Sequence, residues 1–184
     1  MNVAIQSPLL LKRTFFFGVF RLNCPGPDPD ARIGYCTSKK QAYIGYKCHL
    51  LCTSGDMTIL DYKITPANVH DGKFLIPLVS NVLSSKLANL LKKLLGDNAY
   101  DTKKNRNFCH ENHLEPLFHS KDETGKHPKK KRSAKKKSKK RSKIEPVFGI
   151  SKLNLGFGSV RVRGIQRVSI DTDLIFIGWN FGIL

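Results

Sequence analysis

The chain has 184 residues, 40% of them hydrophobic, which is enough for one domain with its own core and too apolar for a wholly disordered protein. Its 32 Lys and Arg against 14 Asp and Glu give a net charge of +18. That imbalance favours a polyanionic partner, nucleic acid ahead of an anionic membrane surface, with a soluble protein bearing a basic tail as the plain alternative. No stretch approaches the roughly 18 apolar residues of a membrane-spanning helix. Five cysteines without a secretory signal predict a reduced cytoplasmic setting.

The first half of the chain predicts strands. Residues 1–24 form a lead-in that ends in a predicted strand over Thr14–Phe20, and the run PGPDPD at 25–30 is typical of a turn. Gln41–Cys52 and Met57–Thr65 are rich in β-prone residues and are separated by a short polar turn containing Gly. They therefore predict a hairpin.

A helix is predicted after the hairpin. His70 or Asp71 can cap it, and apolar residues recur at helical spacing as far as Leu83. Leu87–Leu95 suits a helix or a buried strand, although its end at Gly96 favours a strand that leads into a site. Three later segments are also assigned, a helix over Lys103–Asn112, a short strand over Leu114–Phe118 and a helix or strand over Asp171–Leu184.

The segment Lys126–Lys143 is the clearest change in composition. It holds twelve Lys and Arg and no acid, so it repels itself and predicts a solvated, disordered loop when free. A basic tract of this kind is typical of nucleic-acid binding, with a nuclear-localisation or ribosome-binding tract as the rival interpretation. Ile144–Leu153 after it is helix-like.

Three blocks of sequence together resemble the transposases of bacterial insertion sequences. The first is DPDARIGY followed by YIGYKCHL, within Asp28–Leu50. The second is ITPANVHDGKFLIPL with LLGDNAYDT, from Ile64 to Thr102, and the third is RSKIEPVFGISKLNLGFGSVRVRG, Arg141–Gly164. In that family such blocks occur in this order within a DDE catalytic core, and together they cover most of this chain.

The resemblance implies an α/β fold and a division of the chain. The fold would be an RNase H-like core, a mixed five-stranded sheet with helices on both sides, incomplete at the N-terminus and interrupted by a disordered basic insertion. Residues 1–24 would be a poorly matching lead-in and 25–125 the first part of the core. Residues 126–143 would be the basic loop, and 144–184 the last part of the core with the catalytic Glu helix.

The resemblance also implies a site of two carboxylates, Asp97 and Glu145, as catalytic residues and metal ligands. Two Mg²⁺ or Mn²⁺ ions about 4 Å apart would activate the nucleophile and stabilise the leaving oxygen in phosphodiester transfer, and hard carboxylate oxygens suit them. Without the resemblance, Asp97 beside Gly96 would be an ordinary turn residue and Glu145 a helix N-terminal acid. Asp101 is predicted instead to cap the helix at Lys103.

The first carboxylate of the family's triad has no match. Residues 1–27 contain no Asp or Glu, and Asp28 and Asp30 match the later block. We therefore expect a truncated or degenerate copy with severely weakened metal binding and no strand transfer.

Basic side chains are the predicted DNA contacts. Lys152 lies seven residues after Glu145, on the same helical face, where it could reach a phosphate. Arg161, Arg163 and Arg167 are similar candidates, with a solvated strand edge as the alternative. The remaining predicted contacts lie in the basic run: Lys129, Lys130, Lys131, Arg132, Lys135, Lys136, Lys137, Lys139, Lys140 and Arg141.

These observations lead to one preferred function and two alternatives. The preferred function is a transposase that cleaves and transfers DNA strands at element ends and target, working as a homo-oligomer in active relatives, in the bacterial cytoplasm at the nucleoid and not at a membrane. The alternatives are a catalytically inert nucleic-acid-binding remnant and an unrelated RNase H-like nuclease. A zinc site at Cys109, His110 and His113 is disfavoured, because no second ligand pair follows at finger-like spacing.

Overall fold

The computed structural model describes residues 14–36, 40–54, 56–118 and 159–182. Within these ranges, hydrogen bonds join six strands into one mixed sheet. The long strand β3 pairs with β1, β2 and β4, all antiparallel, and β1, β5 and β6 run parallel as neighbours. The strands are β1 (Thr14–Asn23), β2 (Arg32–Cys36), β3 (Gln41–Thr53), β4 (Ile59–Pro66), β5 (Lys93–Gly96) and β6 (Glu115–Phe118).

Helices cover both faces of this sheet because successive residues of β3 point to opposite sides. Leu51 belongs to a buried cluster with α1 (Leu75–Leu83) and α2 (Lys103–Glu111). Leu50 belongs to a second cluster with α3 (Ile165–Asn180). The predicted α/β class, a mixed sheet with helices on both faces, is therefore confirmed, but the described residues form six strands where five were predicted.

The hairpin, the helix at Lys103 and the short strand after it are confirmed with small shifts at their ends. The ambiguous segment Leu87–Leu95 divides into a 3₁₀ turn, Ala88–Leu90, followed by β5. The first strand extends three residues beyond the predicted end at Phe20, because β3 pairs with it as far as Asn23.

The C-terminal boundary is the largest error. The segment predicted as a helix or strand from Asp171 is a helix that already begins at Ile165. It starts after Gly164, whose φ of 85° is a conformation that favours glycine. Within the described ranges, none of the helices has the length and apolar content that a membrane crossing requires.

Candidate active site

Asp97 lies immediately after β5, at the edge where β5 and its parallel neighbour β6 have their carboxyl ends. Its side chain is exposed and accepts a hydrogen bond of 2.7 Å from the backbone N–H of Asn98. It thereby caps the 3₁₀ turn Asn98–Tyr100. This bond holds the carboxylate at the end of a buried strand, within reach of solvent and of a substrate.

The turn after Asp97 is braced by a segment distant in sequence. Asn105, buried on α2, donates from Nδ2 to the carbonyl oxygens of Gly72 at 3.0 Å and Tyr100 at 2.9 Å. A Cβ at Gly72 would lie only 2.5 Å from the carbonyl oxygen of Ala99, so glycine permits the close approach of the two segments. The second sequence block therefore supports the Asp97 turn directly.

Asp101 does not cap α2. Thr102 is the N-cap, and its Oγ1 accepts from the backbone N–H of Asn105 at 3.2 Å. Asp101 instead accepts a hydrogen bond of 2.8 Å at Oδ2 from Nη2 of Arg106, one turn into the helix. The prediction for Asp101 is wrong because the residue after it takes the capping geometry and leaves its carboxylate to the arginine.

The strand beside β5 brings no acid to this edge. The pairing of β1 with β5 ends at Phe16 and Leu95, and a continuation of that register by two residues would bring Gly18 alongside Asp97. The sequence of β1, TFFFGVFRLN, contains neither Asp nor Glu. β1 therefore contributes no carboxylate beside β5, and the absence of the family's first carboxylate stays a prediction.

The second predicted ligand, Glu145, lies outside the described residues, as do Lys152 and the basic run Lys126–Lys143. Within the described ranges no group of three His, Cys, Asp or Glu side chains could hold a metal ion. Asp97 has the hard oxygen ligand that Mg²⁺ prefers, but one carboxylate does not hold a pair of ions. The described residues therefore do not complete a two-metal site.

Two histidines near this edge have structural roles. His49 is fully buried, shares a 2.9 Å hydrogen bond with Oγ1 of Thr65 and stacks on Phe74 with ring centroids 4.5 Å apart. Burial lowers the pKa of His49 to about 4, so the ring is neutral at pH 7. His70 accepts from the backbone N–H of Gly72 at 3.2 Å and caps the 3₁₀ turn Asp71–Lys73. The prediction that His70 or Asp71 caps the helix itself is wrong, because α1 starts after this turn and its N-cap residue, Phe74, makes no side-chain cap bond.

Comparison with known families decides the identity of this arrangement. The family model described as "Transposase DDE domain" matches residues 20–181. The chain belongs to this transposase DDE domain family. The mixed sheet with helices on both faces is thus the fold of this DDE domain. No curated protein matches the sequence.

Solved structures give more distant likenesses to this DDE domain. The catalytic core domain of BIV integrase has a TM-score of 0.39 at 6% identity, covering 88% of this chain and 95% of that chain. The protein of the Mos1 mariner paired end complex with Mn has a TM-score of 0.48 at 14% identity, covering 95% of this chain. The match covers 52% of that protein, so this chain spans about half of its length.

Two acids of the DDE domain have a role that the sequence did not reveal. Asp28 accepts at Oδ2 from the backbone N–H of Gly164 at 3.0 Å, and Asp30 accepts from that of Ile165 at 3.0 Å. Burial alone would raise the pKa of Asp28, but hydrogen bonds, led by that of Gly164 and the Tyr46 hydroxyl, outweigh it and lower the pKa. These carboxylates fix the start of α3 across 136 and 135 residues of sequence.

The three arginines predicted to contact DNA lie in two kinds of local structure. Arg161 and Arg163 are exposed on an irregular segment that follows the single bridge between Asn23 and Ser159, and Arg167 is exposed in the first turn of α3. None of the three belongs to a strand, so the strand-edge alternative is wrong for them. Their contact with DNA stays a prediction.

Proposed function

We propose that this DDE domain binds DNA through its basic residues and supplies Asp97 and Glu145 to a strand-cleavage and strand-transfer site that lacks its first carboxylate. The observation behind the proposal is the pairing at the sheet edge, where Asp97 ends β5 beside an acid-free β1. Family membership supports a DNA substrate. The proposed substrates are the element ends and the target duplex, which active relatives would engage as homo-oligomers at the bacterial nucleoid.

The chemistry requires more acid than the described edge provides. Phosphodiester transfer needs an activated nucleophile and a stabilised leaving oxygen, and two Mg²⁺ or Mn²⁺ ions supply both when several carboxylates hold them. With Asp97 and Glu145 alone, metal affinity is severely weakened. We therefore expect no Mg²⁺-dependent strand transfer by this chain, so efficient cleavage of inverted-repeat DNA by the purified protein would overturn this part of the proposal.

The proposed pairing of the two acids has a separate test. Ligands of shared ions must lie within a few ångströms of each other, so the carboxylates of Asp97 and Glu145 are expected on the same side of the core. The distance between the two carboxylates can be measured in an experimental structure of the domain. Carboxylates separated by well over ~10 Å in an ordered core would remove the basis for the pair.

DNA binding should depend on the basic run Lys126–Lys143. Each phosphate neutralised contributes about −0.9 to the slope of log K against log salt concentration. If half of the twelve charges engage, affinity falls roughly a thousandfold between 50 and 200 mM salt. The run contains neither Asn nor Gln, so binding should be indifferent to base sequence.

The experiment is a salt titration on two unrelated duplexes, with the intact chain and a variant lacking residues 126–143. The proposal expects a much flatter slope for the deleted form, unchanged secondary structure by circular dichroism, and equal affinity for both duplexes. An unchanged slope after deletion would show that the run is a solvated spacer. The DNA-binding role would then move to Arg161, Arg163 and Arg167.

A second candidate function is a catalytically inert nucleic-acid-binding remnant, favoured by the acid-free sequence of β1. We propose that the domain is such a degenerate or truncated copy. Genomic DNA upstream of Met1 discriminates it, since an open frame encoding an acid-bearing strand, flanked by terminal inverted repeats, would indicate a complete transposase. Cleavage of RNA–DNA hybrids without strand transfer would favour an RNase H-like nuclease instead.

A further inference from the structure

A cleft of about 180 Å³ lies between the segments Cys24–Asp28 and Val160–Arg163, which are far apart in sequence. Its base is closed by the parallel backbone bridge between Asn23 and Ser159, which includes a 2.8 Å hydrogen bond from the Val160 N–H to the Asn23 carbonyl oxygen. The bond from Gly164 N–H to Asp28 closes its far end. The cleft is thus a product of tertiary structure held at both ends by hydrogen bonds.

In the sequence VRVR, residues 160–163, the valines face the core and the arginines line the cleft. Val160 is buried in the cluster beneath α3, and Val162 packs against that cluster. Arg161 and Arg163 alternate with them and are exposed along the cleft. A Cβ at Gly26 would lie 3.4 Å from Nη2 of Arg163, so this guanidinium rests against the opposite wall.

The electrostatic balance of the cleft favours an anion. Among the described residues, neither Arg161 nor Arg163 has a carboxylate oxygen within ion-pairing distance. The wall also holds Asp28, but its oxygens already accept from the Tyr46 hydroxyl at 2.7 Å and from backbone N–H groups of the protein. Two guanidiniums therefore keep their hydrogen-bonding capacity for a ligand, and their planar donor forks suit phosphate oxygens.

We propose that this cleft binds a backbone phosphate of DNA at a point removed from the reacting phosphodiester. The inference rests on the proposed DNA-binding function and adds a location to it. Gly18, beside Asp97, and Asn23, at the cleft, are five residues apart on β1. At about 3.3 Å per residue the two points are separated by roughly 17 Å, too far for one phosphate to occupy both. The arginines therefore hold flanking DNA and leave the reacting phosphate to the Asp97 edge.

The first test compares charge removal inside and outside the cleft. The double variant Arg161→Gln, Arg163→Gln of the full chain should bind a random-sequence 20-base-pair duplex roughly tenfold more weakly near 0.1 M salt. Its salt slope should fall by about 1, as expected when one phosphate contact is lost. The matched control Lys86→Gln, Lys92→Gln removes two exposed positive charges that do not line the cleft, and should change neither quantity measurably.

The second test uses the geometry of the cleft. Gly26→Asp places a carboxylate against Arg163, so it should neutralise that guanidinium and weaken DNA binding severalfold. Asn89→Asp makes the same change of charge at an exposed position elsewhere and serves as the control. Competition by inorganic phosphate should weaken duplex binding more in the parent chain than in the double variant.

The outcomes separate this inference from the broader function. If the intact chain binds the duplex with a steep salt slope but the cleft double variant matches the Lys86→Gln, Lys92→Gln control, the cleft proposal fails and the DNA-binding function stands. Equal effects of Gly26→Asp and Asn89→Asp would likewise overturn it. If the intact chain does not bind DNA, both proposals fail. Thermal melting of each variant excludes unfolding as the cause of lost binding.

Discussion

The strands β5 and β1 lie side by side at the candidate site but differ in what they bring to it. β5 leads directly into Asp97, and the turn that Asp97 caps is held by hydrogen bonds from Asn105 and by the close approach of Gly72. β1 is paired on both sides and in register, yet its sequence has no acid. The difference shows that sheet formation and site chemistry are separate properties, because strand pairing uses backbone groups that every residue has.

The pairing of β1 with β3 depends on one glycine of β3. Gly45 has a φ of 154°, and a Cβ there would lie 1.8 Å from the carbonyl oxygen of Leu22. The neighbouring bond from Cys24 N–H to the Ile44 carbonyl oxygen, 3.0 Å long, continues the pairing past the end of β1. The acid-free strand is therefore held as specifically as the strand that carries Asp97.

The largest expected effect comes from a substitution that disrupts the pairing of β1 with β3. Gly45→Ala should lower the free energy of unfolding by about 3 kcal/mol or more, because the added methyl group meets backbone that cannot move without breaking the β1–β3 ladder. Urea denaturation followed by circular dichroism measures it. Gly26→Ala is the control, since its Cβ meets only ordinary contacts, and equal stability of the two variants would contradict the account of β1.

The next largest effect comes from a substitution that removes the hydrogen bonds to the turn after β5. Asn105→Ala leaves the carbonyl oxygens of Gly72 and Tyr100 without their donor and should cost about 2 kcal/mol. Hydrogen exchange should quicken in the turn Asn98–Tyr100 more than in the distant strand β4. Asn107→Ala, exposed on the same helix, should leave both measurements unchanged. A uniform loss of protection across the sheet would argue against a local brace of Asp97.

A loss of stability of similar size is expected when the pH is lowered. His49, opposite Val19 of β1, keeps a neutral ring because burial lowers its pKa to about 4, with Lys47 lowering it further and Asp71 opposing. The unfolded chain takes up the proton near pH 6.5, so the contribution of His49 to stability is present above that pH and is lost as pH falls towards 4. Between pH 7 and pH 5 the loss should be about 2 kcal/mol.

His49→Gln provides the comparison for this pH dependence. Glutamine keeps a polar group beside Thr65 but does not titrate, so the stability of the variant should change much less between pH 7 and pH 5. Guanidinium denaturation at several pH values gives both curves. Parallel curves for parent and variant would assign the pH dependence to other groups.

The smallest expected effect tests whether β1 can be given the missing function. Gly18→Asp puts a carboxylate beside Asp97 according to the strand register, and should create weak Mn²⁺ binding detectable by electron paramagnetic resonance. Adding Asp97→Asn to that variant should abolish the gain. Mn²⁺ binding that survives the second substitution, or a folded Gly18→Asp protein that binds no more Mn²⁺ than its parent, would place the first-carboxylate position elsewhere.

Local patterns in the sequence determined much of the fold. β-prone residues on both sides of a polar turn predicted the hairpin of β3 and β4. Helical spacing predicted α1, because that period reflects which face of the helix must be buried. The position of Asp97 after a buried strand was also predictable, since Gly96 and Asp97 end an apolar run. The family assignment came from the order of the three blocks, and the family model confirms it.

Tertiary structure alone decided the contacts between segments far apart in the chain. The sequence run PGPDPD indicated a turn, but the bonds of Asp28 and Asp30 to the start of α3 bridge more than a hundred residues, and no local period records them. The register of β1 against β5, which pairs Phe16 with Leu95 two residues before Asp97, is likewise a property of the sheet. Local sequence specifies which face of an element is apolar, whereas the partner of that face depends on how the whole core packs.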